Sequence, residues 1–171
     1  MVRRIFADLD EAIRAADERI KRHGIHEFVD KWHEIRVERA SKRVKVMALC
    51  DFQCYITSRC LESSAVDRLL YNYINNAVRF SDSEIVRLTV IRLNSVLTRW
   101  VVENQLSEGQ KVWLNETLGD DLTRLFQGGY TRSGQGIGLT NCSDLVAASF
   151  GLSPSEAIEG GYLGAKVCNQ T

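Results

Sequence analysis

Asn72 and Asn76 stand four residues apart in an otherwise apolar helical pattern, and Arg79 follows one turn later. Residues at that spacing share one face of a helix. Asparagine is a poor helix-interior residue because its side chain competes for backbone hydrogen bonds, so two on one face need a reason. Carbonyl oxygens placed this way suit a hard cation such as Mg²⁺, which keeps most of its water and takes few protein ligands. The plainer alternative is that both amides are solvated or bond to a neighbouring loop. A second cluster is the stretch 133–139, Ser-Gly-Gln-Gly-Ile-Gly-Leu. Glycines at every second position (Gly134, Gly136 and Gly138) build neither a stable helix nor a stable strand. They suit a backbone folded close around a ligand with its N–H groups bare. Leu139, Cys142, Leu145, Val146 and Phe150 then follow at helical spacing, with Gly151 placed to stop the helix. A loop of bare amides that opens into a helix N-terminus favours an anion such as phosphate.

Around these residues the chain is patterned as follows. Ile5, Leu9, Ala12, Ile13, Ala16 and Ile20 form one stripe, and His23-Gly24 breaks it. Ile25, Phe28, Val29, Trp32 and Ile35 form a second. The two stripes predict an N-terminal helical hairpin or a long kinked helix over residues 1–42, whose apolar seam a second copy of the chain would cover. Val44, Val46 and Ala48 alternate with polar neighbours as in a strand. A long helix follows with Ser63 or Ser64 as its cap and a core face of Val66, Leu69, Leu70, Tyr73, Ile74, Ala77 and Val78. Residues 85–93 and 96–102 read as a hairpin of two strands turning at Asn94-Ser95. Residues 106–132 are polar and glycine-bearing with only a short helical pattern, which predicts a lid that orders over a ligand. A strand-like stretch covers 162–167.

Composition narrows the classes. The 171 residues suffice for one main core, and 22 acidic against 22 basic side chains give no general pull toward nucleic acid. No apolar run approaches the length of a membrane span, and no secretory signal is visible. Five cysteines without a CxxC pair read as reduced, mostly buried thiols of a cytoplasmic protein. Cys50, Cys54 and Cys60 lie near one another in sequence, but no histidine at ligand spacing accompanies them.

The order of these parts resembles that of sensor histidine kinases. Residues 70–81, Leu-Tyr-Asn-Tyr-Ile-Asn-Asn-Ala-Val-Arg-Phe-Ser, resemble the N box. Residues 125–131, Leu-Phe-Gln-Gly-Gly-Tyr-Thr, resemble the F box, and residues 134–139 the second glycine box. The resemblance spans residues 43–167 and implies an α+β fold, a two-layer α/β sandwich of Bergerat type, over 43–171. It implies ATP and Mg²⁺ as cofactors, with Asn76 on the metal and Asn72 and Arg79 near the phosphates. Thr131, Arg132, Gly134, Gly136, Gly138 and Leu139 would wrap the triphosphate. The family's first glycine box reads Asp-x-Gly-x-Gly, whereas this strand ends Glu103-Asn104-Gln105-Leu106-Ser107. Glu103 would then accept the bond from the adenine amino group in place of the aspartate, with Asn104 beside it. His33-Glu34-Ile35-Arg36 resembles a phosphoacceptor motif on a dimerising helix, although Val37-Glu38 follows where Thr-Pro is usual. The implied activity is transfer of the ATP γ-phosphoryl to a histidine, with a homodimer and a response-regulator receiver domain as partners. The alternative is a non-catalytic pseudokinase or adaptor dimer with a weak or empty nucleotide pocket.

Overall fold

The computed structural model describes residues 22–39, 42–57, 61–130 and 137–168. Its main sheet begins where alternation in the sequence is clearest. Strand β3 (Lys42–Leu49) buries Val44, Val46 and Ala48 on one side and turns its other residues outward. Strand β5 (Ile85–Arg92) does the same with Val86, Leu88 and Val90. The two run parallel, with Val46 opposite Val86 and Ala48 opposite Leu88. A parallel pair needs a long crossover, and helix α2 (Ser63–Phe80) lies within that connection. Strands β2 (Arg36–Arg39) and β6 (Thr98–Glu103) complete an open sheet of order β2-β3-β5-β6, both antiparallel to their neighbours. At the β5–β6 turn, Asn94 Oδ1 accepts the amides of Val96 and Leu97, both at 2.9 Å. The fold is thus of mixed α and β composition with an open sheet. Among the described residues no helix is long and apolar enough to cross a membrane.

Two helices cover the inner side of that sheet. Helix α1 (Ile25–Trp32) buries Ile25, Phe28 and Val29, at i, i+3 and i+4. Helix α2 buries Val66, Leu70, Ile74, Ala77 and Val78 into the same core. Phe28 meets Trp100 of β6 edge to face at 6.2 Å. A short strand β1 (Arg22–Gly24) pairs antiparallel with β4 (Tyr55–Thr57).

The expected helical hairpin is therefore corrected in its second arm. The stripe from Ile25 to Ile35 is one short helix that ends at Trp32, and β2 follows it and pairs with β3. The expected divide at residue 42 falls within this β2–β3 hairpin. The apolar face assigned to a homodimer seam is used inside the domain; the first arm, residues 4–20, lies outside the described residues. Glu34 makes the turn with φ 64°, its N–H donating to Val46 O at 2.9 Å. Its carboxylate pairs with Lys45 at 2.6 Å.

A second layer forms after β6. Ser107 caps helix α3 (Glu108–Leu118) by accepting the Gln110 amide at 3.3 Å, and Gly119 ends the helix at φ 61°. A 3₁₀ turn covers Leu122–Phe126, helix α4 Gly138–Phe150 and helix α5 Pro154–Glu159. Phe126, Ala147, Ala157 and Leu163 make a small second core, against which Tyr73 of α2 packs. Three further expectations change here. The described residues 106–130 carry α3 and the 3₁₀ turn where little regular structure was expected, because Gln110, Leu114 and Leu118 recur every fourth residue and bury one narrow stripe. Residues 162–167 pair with no strand. The cap of α2 is Glu62, acting without a side-chain bond, rather than Ser63 or Ser64.

Phe28→Ala should destabilise the fold by about 3–5 kcal/mol, the cost of emptying a buried aromatic site. Urea unfolding measures this, and a loss near zero would return α1 to the role of an external arm. The capping box of α5 predicts an acid response. Ser153 hydrogen bonds hold the exposed Glu156 carboxyl below its ordinary value of 4.5, and Lys45 does the same for Glu34. Groups with lowered folded values contribute above the unfolded value and lose that contribution as pH falls through the folded one. Ser153→Ala should therefore flatten the decline in thermal stability below pH 4.5, as scanning calorimetry would report.

Candidate functional site

The polar face of α2 meets the start of α4 at one contact. A side-chain carbon added to Gly138 would lie 3.2 Å from Asn72 Oδ1. One turn along α4, Cys142 is fully buried beside Asn72. Burial pushes its thiol up to about 12, a rise that Asn72 partly offsets. Burial likewise raises the Tyr73 hydroxyl above its ordinary range, with Cys142 adding to it. Asn72 thus has a positional role that its sequence spacing did not reveal: it fixes the first turn of the helix into which the glycine stretch runs. No side chain at its N-cap Ile137 caps that turn, and its leading amides have no partner within the helix itself.

The F-box-like segment reaches the same turn. Phe126, 1% exposed, packs against Tyr73 at 6.3 Å, and its carbonyl accepts Ser143 Oγ at 3.3 Å. Gly128 follows at φ 87°, where a side-chain carbon would come within 3.1 Å of Thr140 Oγ1. Only glycine combines that dihedral with that approach. Arg124 then holds Tyr130, donating to its hydroxyl at 2.5 Å and lying over its ring at 4.7 Å. Nothing in the sequence pattern singled out Arg124.

A broad open depression of about 2290 Å³, lined by residues of β4, α2, β5, β6, α3, the 3₁₀ turn, α4 and the segment after α5, takes in these parts. Asn72, Asn76 and Arg79 line it from α2, Glu103 and Asn104 from the end of β6, and Gly138 and Leu139 from α4. Gln110 and Trp113 of α3 line it too; the segment 106–132 was expected beside the ligand, but not as a helix. Thr131, Arg132, Gly134 and Gly136 lie outside the described residues. Asn104 Nδ2 is buried with no hydrogen-bond partner among the described residues. Glu103 is exposed and stands opposite Arg87 in the β5–β6 register.

His33 is not brought to this cleft. It is the C-terminal cap of α1 rather than a residue on a dimerising helix, and its Nδ1 bonds Ala48 O at 2.9 Å. A carbonyl only accepts, so Nδ1 carries the proton. Among the described residues no three His, Cys, Asp or Glu side chains gather as a metal cluster. Asn76 brings one side-chain carbonyl oxygen to the cleft, a donor type that Mg²⁺ takes beside water. The free thiols of Cys50 and Cys54 donate to Phe52 O and Tyr55 O.

A thiol raised this far is almost wholly unreactive near neutral pH. At pH 8, iodoacetamide followed by peptide mass analysis should label the exposed Cys168 quickly and Cys142 only on unfolding. Rapid labelling of Cys142 in the folded protein would show that the Asn72–α4 contact opens. No family model, curated protein or solved structure matches this chain.

Proposed function

We propose that the cleft between α2, β6 and α4 binds Mg–ATP and that the chain is a nucleotide-binding catalytic domain of sensor-histidine-kinase type, with a Bergerat-like sandwich. The observation that carries this reading is the Asn72–Gly138 contact. It joins the helix bearing the N-box resemblance to the helix that continues the glycine box, although the two are far apart in sequence. Gly128, in the F-box resemblance, packs against the same helix turn. Three motifs that are modest singly thus share one cleft.

Each residue has a physical task on this reading. Asn76 offers its side-chain carbonyl oxygen to Mg²⁺, and Arg79 sets a cation on the same side of the cleft. The uncapped amides of α4 face the anionic groups with the favourable end of the helix dipole. Asn72 keeps that turn in place. When bound, Mg²⁺ neutralises charge on the phosphate oxygens, so catalysis rests on positioning and electrostatics. The product would be a phosphohistidine, passed on to a receiver domain in the cytoplasm. His33 does not line the cleft, so the reading places the acceptor on another copy of the chain or on another protein.

A second reading is a non-catalytic adaptor with a weak pocket. Glu103 favours it, since that carboxylate stands exposed opposite Arg87 rather than buried where it would read a base. Calorimetry with Mg–ATP separates the two. Asn76→Ala should weaken binding at least tenfold, about 1.4 kcal/mol, with an unchanged melting temperature, because the side chain is outside both cores. Equal affinity in the folded variant removes the Mg²⁺ assignment. Acid-labile label from γ-labelled ATP then reports phosphohistidine, and its absence despite tight binding supports the adaptor.

A further inference from the structure

We infer that strand β6 is a self-complementary edge and that two copies of the chain pair through it, antiparallel, into one continuous sheet. The inference goes beyond the nucleotide reading and does not depend on it. Among the described residues the main sheet has two edges, β2 and β6. β2 is four residues long, and Arg36, Glu38 and Arg39 are charged, which is one way a protein blunts an edge. β6 is longer, and Trp100, Val101 and Val102 stand in its middle. Alternate N–H and C=O groups of β6 serve the β5 ladder, and the others point away from the sheet. Among the described residues no other backbone group bonds to those outward groups. The broad depression is lined by Arg99, Val101 and Glu103 from one face of the strand and by Trp100 and Val102 from the other. Open space therefore runs along the edge between the two faces.

The order of side chains on β6 then selects a second copy as the occupant. A strand paired with itself about a two-fold axis sets residues opposite one another reciprocally and on the same face. With the axis at Val101, Arg99 meets Glu103 of the second copy, and Glu103 meets its Arg99. Opposite charges placed directly across a ladder stabilise it, and like charges there destabilise it. On the inner face Trp100 meets Val102 of the second copy, an aromatic against a β-branched side chain, and this pair also occurs twice. Moving the axis to Trp100 sets Arg99 against Val101, and moving it to Val102 sets Glu103 against Val101. Only the axis at Val101 pairs both charges. Glu103 already stands opposite Arg87 within its own sheet, so in the dimer its carboxylate lies between two guanidinium groups.

The test is sedimentation equilibrium of the whole chain, without nucleotide, over a range of concentrations. Wild type should show a reversible monomer–dimer equilibrium, weak because a strand of this length buries little area. Arg99→Glu and Glu103→Arg each set like charges opposite one another twice. Each should raise the dissociation constant by at least about tenfold while circular dichroism shows the fold kept. Mixed in equal amounts, the two variants should associate about as well as wild type, because every charge of one then meets its opposite on the other. A wild-type chain that is monomeric at every concentration overturns the inference. Protection of every β6 amide from exchange in that monomer, rather than of alternate ones, would name another segment of the chain as the occupant. A dimer that both variants leave intact overturns it as well, and so does a mixture of dissociated variants that fails to recover.

Discussion

Helix α2 is shared between two cores, and the candidate site depends on that sharing. Its Leu70, Ile74, Ala77 and Val78 are buried against the sheet, while Tyr73 packs on Phe126 in the second core. Burying Leu70 and Ile74 contributes roughly 1.5–3 kcal/mol each, so the helix cannot rotate about its axis without losing both. That constraint holds Asn72 against Gly138 and Cys142 and keeps Asn76 on the cleft side. The polar face owes its accuracy to apolar packing on its other sides.

The second core is small and is held by hydrogen bonds as much as by burial. Ser143 Oγ reaches both Thr140 O at 2.7 Å and Phe126 O at 3.3 Å, tying the 3₁₀ turn to α4. The Ser153–Glu156 capping box fixes α5 below it, and Gly151 at φ 66° ends α4. Phe150 and Tyr162 stack at 4.3 Å, so the chain after α5 is drawn back against α4 without needing a strand. A layer built this way has few apolar contacts to lose on opening, and such regions open at lower free energy than a main core. Gly138 and the start of α4 therefore belong to the less stable half of the domain, while the asparagines ride on the more stable half.

Period alone made much of this legible. The alternation of Val44, Val46 and Ala48, the broad stripe of α2, the Asn94 turn and the Gly151 stop all carry strong local signals. The fate of Ile25, Phe28 and Val29 was not legible, because an amphipathic stripe states that a face is buried and never against what. The 4-residue recurrence of Gln110, Leu114 and Leu118 was diluted by Gly109 and by charged neighbours, although Ser107 and Gly119 bracket it as cap and stop. For the candidate site, residue type and spacing singled out Asn72, Asn76 and Gly138, and all three line the same broad depression. The direct contact between Asn72 and the start of α4 was not, since it depends on how two helices distant in sequence pack.

The end of β6 shows how little separates one site chemistry from another. Glu103 and Asn104 are neighbours in sequence, and a one-residue change of register would exchange their sides. Arg87 opposite Glu103 and Val102 opposite Leu88 set that register. Slipping it would bury the Glu103 carboxylate and expose Val102, and a carboxylate without a partner is far costlier to bury than an amide. The exposed position of Glu103 and the half-buried position of Asn104 are therefore one constraint seen from two faces of the strand. The register that keeps the charge of Glu103 in solvent thus leaves the uncharged amide of Asn104 at the next alternate position after the inward-facing Trp100 and Val102.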